Sequence, residues 1–244
     1  MEKNAKEKYS YGYALEINKP FKANEEQFNF KLKNGKYYII RFDGKEMTAG
    51  FKEKGKAINN KFLAVMKAVL NEFCRINKIR FAYSFSDEIS ILVRGNNQGK
   101  KDKNWEDSQR IEKLLSIYSG LLSLLFQKHA QENNLDLQNK YWVFDARIIE
   151  LEKADVYGYF KARQAFCIDK FLTQFKGENK IDYKLHTSSA IIDALNKKGI
   201  SYQDIPNDYK YGLVYSRFGD GSFDFDSDEE KFIKYCFNKL FFTS

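Results

Sequence analysis

The chain has 244 residues, with 41 Lys and Arg against 33 Asp and Glu, so its formal net charge at pH 7 is +8. A chain of this length can form one large domain or two small ones around a substantial core. The basic balance favours polyanionic partners such as nucleic acid, nucleotides or acidic membranes, although a generally basic surface gives the same count.

Cysteine spacing and hydropathy argue against a zinc-binding, disulfide-rich, secreted or membrane-spanning protein. Cys74, Cys167 and Cys236 stand far apart, without a CxxC spacing or a nearby histidine, so neither a zinc site nor a disulfide framework is indicated. The first residues carry scattered charges without the apolar stretch of a signal peptide, and no apolar run reaches transmembrane length. We therefore expect a cytoplasmic protein that does not act at a membrane.

The first clear element is a strand that ends in an aspartate. Residues 1–35 are rich in Lys, Glu and Asn, and we predict that they form an N-terminal arm packed on the main body. Tyr37 to Phe42 is a short apolar run that ends in Asp43 and Gly44, which is the pattern of a strand followed by a turn.

Two predicted helices flank a predicted β-hairpin. Residues 79–85 and 89–93 are rich in β-branched and aromatic side chains, and the tight end between them holds Ser86, Asp87 and Glu88. The other elements of this region are a helix over residues 59–77 capped by Asn59 or Asn60, a helix over residues 108–132 capped by Asp107 or Ser108, and a strand over residues 141–151.

This order of elements predicts an α+β fold. Strand, helix, strand, strand, helix, strand is the split βαβ of ferredoxin-like and RRM-like domains, a palm-like antiparallel sheet with helices on one face. We assign residues 36–152 to this palm-like core. Residues 153–244 form a C-terminal extension of helices and one strand, which we expect to pack on the core.

Asp43 and Asp87 are the first candidates for chemistry. A residue that ends one strand and a residue in a neighbouring hairpin turn converge at one edge of the sheet, where two carboxylates repel each other unless a cation lies between them. Mg²⁺ is the natural occupant, since it takes one or two carboxylates together with water and substrate phosphates. Strand alternation predicts that Asp87 faces Asp43 and that Ser86 and Glu88 point elsewhere. The alternative is that both acidic positions are ordinary solvated turns.

Three segments carry a resemblance to a known family. IIRFDGK, YSFSDEISILV, and FDARII followed by FKARQAFCIDKF occur in an order and spacing that resemble the tRNA-histidine guanylyltransferase family, and more closely its guanylyltransferase-like, 3′-to-5′ polymerase members. The matching residues are Arg41, Asp43, Gly44, Ser86, Asp87, Glu88, Phe144, Asp145, Arg147, Arg163 and Gln164.

The resemblance implies a nucleotidyltransferase. Members of this family add nucleotides to the 5′ end of tRNA with a palm-like domain and two Mg²⁺ ions, and they use ATP and GTP as substrates. For this chain the resemblance implies tRNA or another structured RNA and nucleoside triphosphates as partners. It also implies a homo-oligomer, since family members often assemble as tetramers.

The resemblance also implies roles for individual residues. Asp43 and Asp87, with the Gly44 carbonyl, would bind both metal ions, and Ser86 and Glu88 would complete the catalytic group. The implied nucleotide-binding residues are Gly44, Lys45, Glu46, Met47 and Thr48 around one triphosphate, Arg41 and Arg147 in the same cluster, and Arg110 and Lys113 around a second triphosphate. Independently of the family, cations three residues apart at a helix start suit a phosphate.

The chain departs from the family pattern in two places. After RFDG it lacks the Arg, the aromatic-His pair and the later Lys-Pro, and Lys54 or Lys56 could replace the missing phosphate cation. After RQA it has Phe166 to Phe171 in place of the run that the resemblance links to reading the histidine anticodon. This favours repair or extension of RNA 5′ ends over an activity restricted to histidine tRNA.

Two further functions remain open at this stage. A palm with an acidic hairpin also serves cyclic nucleotide synthases, and an RRM-like order with a basic charge also suits an RNA-binding module without catalysis. Tyr157, Tyr159 and Phe160 beside Lys161 and Arg163 could stack on RNA bases. His129 and His186 are expected to be ordinary surface or capping residues.

Overall fold

A computed structural model gives the architecture of most of the chain. It describes residues 30–47, 60–95, 110–137, 140–182, 184, 187–217, 221–228, 231 and 232, together with positions 15, 16, 18, 19, 22 and 24. Thr48, Lys54, Lys56, Asp107, Ser108, His186 and Cys236 lie outside these residues, as do most of the N-terminal arm and of the predicted terminal helix.

Five strands form one antiparallel sheet. They are β1 (Tyr37–Gly44), β2 (Phe81–Phe85), β3 (Glu88–Arg94), β4 (Phe144–Leu151) and β5 (Leu213–Ser216). Their order in the sheet is β4-β1-β3-β2-β5, and each neighbouring pair is antiparallel. The first four strands have the order expected of the split βαβ unit, and β5 from the C-terminal extension adds an edge strand beside β2. The predicted α+β class is therefore confirmed.

The described helices are α1 (Asn60–Ile76), α2 (Ile111–Glu132), α3 (Asp155–Glu178), α4 (Ser188–Lys197) and α5 (Asn207–Lys210). Helix α1 begins with Asn60 as its first residue, and Asn59, the other predicted cap, lies outside the described residues. Helix α2 begins later than expected, with Arg110 at its N-cap position. Helix α4 is capped by Thr187, whose Oγ1 accepts a hydrogen bond from the Ala190 N–H at 3.3 Å.

Both faces of the sheet are covered. Helices α1 and α2 pack on one face, against Tyr38, Ile40 and Phe42 of β1. Helix α3 covers the other face, where Tyr37 and Ile39 share a core with residues of α3. The apolar run of β1 has no polar alternation, and such a continuous run is typical of a strand buried on both sides. The helices of the split βαβ unit lie on one face as expected, and the extension supplies the cover for the second.

The described end of the N-terminal arm packs on the body. Leu32 is buried in the core beneath α2, and Lys31 forms a β-bridge with Arg110. The boundaries at residues 36 and 153 stay predictions. Cys74 and Cys167 are buried thiols, and burial raises the pKa of the Cys167 thiol to about 11. Among the described helices, none combines the length and the apolar character that crossing a bilayer requires.

Gln164 of α3 ties the extension together from inside the core. Its Nε2 donates to the Tyr211 carbonyl at 3.1 Å and to the Phe223 carbonyl at 2.8 Å, and its Oε1 accepts from the Phe225 N–H at 2.6 Å. The side chain is almost fully buried. One residue of the RQ pair thus satisfies three main-chain groups that would otherwise lose hydrogen bonds on burial.

We predict that Gln164→Leu lowers the free energy of unfolding by roughly 1–3 kcal/mol, because the apolar side chain leaves buried main-chain groups unsatisfied. Urea denaturation measures the change. Gln131→Ala, at an exposed position of α2, is the matched control and should change stability by less than about 0.5 kcal/mol. Equal stability of Gln164→Leu and the wild type would contradict the anchoring role.

Candidate active site

Three carboxylates form a row at one end of the sheet. Asp43, next to the last residue of β1, is paired in register with Glu88 of β3 on one side and with Asp145 of β4 on the other. Cross-strand partners lie on the same face of a sheet. The three side chains therefore share the face that α3 covers, the face of Tyr37 and Ile39.

Asp87 lies beside this row in the hairpin turn. The turn has two residues, Ser86 and Asp87, and the φ of Ser86 is +53°. The Gly44 N–H donates to the Asp87 carbonyl at 3.0 Å, which joins the end of β1 to the turn. Ser86 Oγ donates to Asp87 Oδ1 at 3.0 Å. The main chain thus holds Asp43 and Asp87 in neighbouring positions, as the sequence predicts.

The electrostatics of Asp43 reflect this crowding. Burial raises the pKa of the Asp43 carboxyl above 3.8, and the negative charges of Asp87 and then Asp145 raise it further, against the opposing charges of Arg147 and Arg41. Like charges at short range disfavour ionisation. A cation placed between these carboxylates would relieve the repulsion.

Glu88 does not point where the sequence predicts. It begins β3 rather than lying in the turn, and it stands opposite Asp43 on the same face, so the prediction that Glu88 faces away from Asp43 is wrong. The two-residue turn shifts strand alternation by one position relative to the predicted three-residue end. Ser84 Oγ donates to the Glu88 carbonyl at 2.8 Å and helps to hold this end of β3.

Glu88 is held by a bidentate ion pair with Arg163 of α3. Arg163 Nε lies 2.9 Å from Glu88 Oε1, and a terminal nitrogen lies 2.5 Å from Oε2. Arg41 Nε is 3.9 Å from the same Oε2. Burial raises the pKa of Glu88, and the charges of Arg163 and Arg41 oppose that rise. Both residues of the pair are largely buried, so Arg163 fixes α3 against β3 beside the acidic row.

Lys170 is a residue of the site that the sequence analysis missed. Its Nζ donates to Ser86 Oγ at 2.8 Å and lies 3.8 Å from Asp87 Oδ1. Lys170 follows Arg163 by seven residues, which is two turns of a helix, so both side chains leave the same side of α3. That spacing, combined with the RQ motif, was the signal available in the sequence.

Arg41 and Arg147 form a basic pair next to the acidic row. They are cross-strand partners, one row further from the strand end than Asp43 and Asp145. A terminal nitrogen of Arg147 lies 3.7 Å from Asp145 Oδ2, and the side chains of Arg147 and Asp145 are both exposed. These two predicted nucleotide-binding residues thus lie beside Asp43.

The segment after Asp43 offers less to a ligand than predicted. The Gly44 and Lys45 amides already donate within the protein, to the carbonyls of Asp87 and Val143. Met47 is fully buried, and Glu46 is exposed in the left-handed region with a φ of +59°. A Cβ on Gly44 would collide with the Met47 sulfur, so a larger residue there would force the Met47 side chain to move.

Arg110 and Lys113 are not brought to the acidic row. Arg110 pairs with Glu112, with 2.6 Å between Nε and Oε1, and it bridges to Lys31. Helix α2 lies on the opposite face of the sheet from Asp43. The predicted second triphosphate site is therefore separate from the Asp43–Asp87 pair within one chain.

The aromatic residues at the start of α3 and the histidine of α2 contact other protein groups. Phe160 is fully buried, so an RNA base cannot stack on it. Tyr157 is half-buried, with its ring centroid 5.1 Å from that of Phe232. The Tyr159 hydroxyl lies 3.2 Å from Ser90 Oγ. His129 lies between Glu72 and Glu132, at 2.7 Å and 2.8 Å from their oxygens.

The donor set at Asp43 and Asp87 fits Mg²⁺. Across the described part of the chain, no cluster of three or more His, Cys, Asp or Glu side chains is arranged to hold a metal. Mg²⁺ does not need such a cluster, because it usually binds one or two carboxylates and fills its other positions with water and phosphate oxygens. Two repelling carboxylates and a nearby carbonyl are hard oxygen donors of that kind.

We predict that Asp43→Asn stabilises the protein at neutral pH when divalent metals are chelated. Because folding raises the pKa of Asp43, the folded state loses stability as the pH rises from 3.8 through the folded pKa. The asparagine variant lacks this loss, so its melting temperature should exceed that of the wild type by a few degrees. The gain should vanish below pH 3.8. Thermal unfolding in EDTA at both pH values tests this, and a variant that melts lower at neutral pH would refute it.

We predict that Arg163→Met lowers the free energy of unfolding by about 3–5 kcal/mol, because Glu88 is left as a buried charge without its partner. Adding Glu88→Gln should recover part of the loss, and chemical denaturation of the double-mutant cycle measures it. Lys33→Met breaks an exposed pair with Glu150 and should cost less than about 1 kcal/mol. A double variant no more stable than Arg163→Met would argue against a buried pair.

Comparison with known proteins identifies the family. A family model described as Thg1, tRNAHis guanylyltransferase, matches residues 18–152. The Uncharacterized protein R259 of Acanthamoeba polyphaga mimivirus is 25% identical over 231 residues, which cover 82% of this chain and 78% of that protein.

Solved structures share the fold. A bacterial tRNA(His) guanylyltransferase (Thg1)-like protein in complex with ATP superposes with a TM-score of 0.76 at 20% identity, covering 91% of this chain and 99% of the other. The tRNA(His) guanylyltransferase of Saccharomyces cerevisiae gives a TM-score of 0.65 at 18% identity, covering 81% and 93%. Because the family match spans more than half of the 244 residues, the chain belongs to the tRNAHis guanylyltransferase family.

Proposed function

We propose that the protein is a Mg²⁺-dependent 3′-to-5′ nucleotidyltransferase that adds nucleotides to the 5′ end of tRNA or a tRNA-like RNA. The observation that carries the proposal is the neighbouring position of Asp43 and Asp87, where burial and then the charge of Asp87 raise the pKa of Asp43. Membership of a guanylyltransferase family supports the reaction class. A basic chain with a net charge of +8 supports a nucleic-acid substrate.

Asp43, Asp87 and the Gly44 carbonyl are the proposed ligands of two Mg²⁺ ions. Bound there, Mg²⁺ would neutralise phosphate oxygens and make the phosphorus easier to attack. Ser86 donates to Asp87 and so orients that carboxylate. Glu88 is proposed to act as a positioning residue, since Arg163 contacts both of its oxygens.

The proposed reaction forms one bond between oxygen and phosphorus and breaks another. The 3′-hydroxyl of the incoming nucleotide attacks the α-phosphorus of the RNA, whose 5′ end carries a triphosphate or has been activated with ATP. Pyrophosphate or AMP leaves, and the hydroxyl proton passes to solvent. Arg41 and Arg147 stand next to the acidic row and are proposed to bind phosphate oxygens. The segment of residues 44–48 is proposed to contact the same triphosphate through main-chain groups other than the Gly44 and Lys45 amides, which already donate within the protein.

The proposed substrate range is not restricted to histidine tRNA. Residues 166–171 stand where the family resemblance would place the residues that read the histidine anticodon, and their sequence is different. Neighbours in complex with ATP and with GTP support nucleoside triphosphates as substrates. We further propose a cytoplasmic location and a homo-oligomer, in which Arg110 and Lys113 bind a second triphosphate.

The extension of a 5′-truncated tRNA tests the proposal. With labelled RNA, nucleoside triphosphates and Mg²⁺, the wild type should give lengthened products. Asp43→Asn and Asp87→Asn should each lower the rate on the order of 100-fold or more, as expected for the loss of a group that stabilises transition-state charge. Asp193→Asn, at an exposed position of α4, is the matched control and should leave the rate unchanged.

Three results would count against it. The wild type could give no lengthened RNA, Asp43→Asn could extend RNA as fast as the wild type, or omission of Mg²⁺ could have no effect. A cyclic product from nucleotides alone would instead identify a cyclic nucleotide synthase. RNA affinity that survives both substitutions, without any product, would identify an RNA-binding module.

A further inference from the structure

One side of α3 carries two side chains with no role in the proposal above. Phe166 and Lys170 are four residues apart, one turn of the helix, so they lie next to each other on the surface of α3. Lys170 reaches the turn, with Nζ 2.8 Å from Ser86 Oγ and 3.8 Å from Asp87 Oδ1. Phe166 lies one helical turn before Lys170, and its side chain remains 58% exposed.

The Phe166 ring is held in place although it is exposed. The Arg163 guanidinium carbon lies 4.9 Å from the centroid of the Phe166 ring and 5.3 Å from that of Phe85. Arg163 is itself fixed by its two contacts with Glu88. A planar ring that is supported by a fixed cation and is open to solvent is a stacking surface for another planar group.

We propose that Phe166 and Lys170 form a subsite for one nucleotide at the edge of the Asp43–Asp87 pair, with the base stacked on Phe166 and a phosphate bound by the Lys170 ammonium. This inference rests on the proposed function, because it assumes that nucleotides are the ligands of the site. The chemistry is the same for a free nucleoside triphosphate and for the 5′ nucleotide of an RNA.

The spacing of the two side chains suits a nucleotide. Four residues advance a helix by roughly 6 Å, so the two side chains leave neighbouring turns of α3 and can contact different parts of one ligand. An ammonium carries a full positive charge and three N–H donors, and both attract phosphate oxygens. Since Lys170 lies beside Asp87, a phosphate placed near that carboxylate is within reach of its ammonium.

A purely structural role would also explain both residues. Phe166 would cover the ion pair of Arg163 and Glu88, and Lys170 would balance the charge of Asp87. The variants are chosen to separate the two roles. Phe166→Leu keeps an apolar cover and removes the aromatic face, whereas Phe166→Tyr keeps the face. Lys170→Gln removes the charge, whereas Lys170→Arg keeps it.

Equilibrium binding in two separate arms tests the subsite. The first arm measures GTP and ATP with Mg²⁺ and without RNA. The second measures a 5′-phosphorylated tRNA without nucleotide, against the same tRNA with a 5′-hydroxyl. Lys176→Gln removes the same charge from the last turn of α3, on a different side of the helix from Lys170, and serves as the control. Melting temperatures are recorded for every variant, and Phe166→Met replaces Phe166→Leu if the latter does not fold.

We expect Phe166→Leu and Lys170→Gln each to weaken affinity by about 10-fold in the same arm. Phe166→Tyr, Lys170→Arg and Lys176→Gln should stay within about 2-fold of the wild type in that arm. A loss in the first arm identifies the free triphosphate as the ligand, a loss in the second identifies the RNA 5′ nucleotide, and a loss in both shows that the subsite accepts either.

The subsite is refuted if neither variant loses affinity, if only one does, if the two lose it in different arms, or if Lys176→Gln loses as much. Both arms are binding measurements, so their outcome does not depend on RNA extension. A protein that binds nucleotide through Phe166 and Lys170 but lengthens no RNA would keep the subsite and reject the reaction.

Discussion

The ion pair between Glu88 and Arg163 is the contact on which the arrangement of the candidate site depends. It joins the first residue of β3 to the middle of α3 through both carboxylate oxygens. Burial acts against ionisation of Glu88, and the guanidinium of Arg163 acts in favour of it. Once α3 is fixed there, Lys170 comes over the hairpin turn, and α3 covers the part of this face around Glu88 while Asp145 and Arg147 stay exposed.

Charge alternates over short distances around this contact. Asp43 belongs to a row of three carboxylates, the next row holds Arg41 and Arg147, and Lys170 lies beside Asp87. An acidic row alone would bind cations, and a basic row alone would bind phosphates. Their adjacency suits a ligand that has both, such as a nucleoside triphosphate with its metal ions. Burial, followed by the charges of Asp87 and Asp145, raises the pKa of Asp43, and a cation at this position would oppose that rise.

The C-terminal extension is part of the site as well as of the fold. Strand β5 pairs with β2, and α3 covers the second face of the sheet. Gln164 binds the main chain at Tyr211, Phe223 and Phe225 in the core. Neighbouring residues of the RQ pair thus have different tasks, since Arg163 binds Glu88 and Gln164 binds main chain. A helix that serves both the core and the site couples the stability of the extension to the geometry of the acidic end.

The amino-acid sequence by itself determined the strand and helix order, the hairpin, the convergence of Asp43 with Asp87, and the family, because apolar periodicity and local motifs are written in short segments. Only the tertiary structure decided the orientation of Glu88, the position of Lys170, the burial of Phe160 and Met47, and the separation of Arg110 from the acidic row. The orientation of Glu88 depends on a one-residue difference in turn length, which inverts strand alternation. The positions of Lys170 and Phe160 depend on the packing of α3 against β2 and the hairpin turn, which are distant from it in sequence. Met47 and Arg110 are placed by the core on the opposite face of the sheet. Neither register nor long-range packing is encoded in a local pattern.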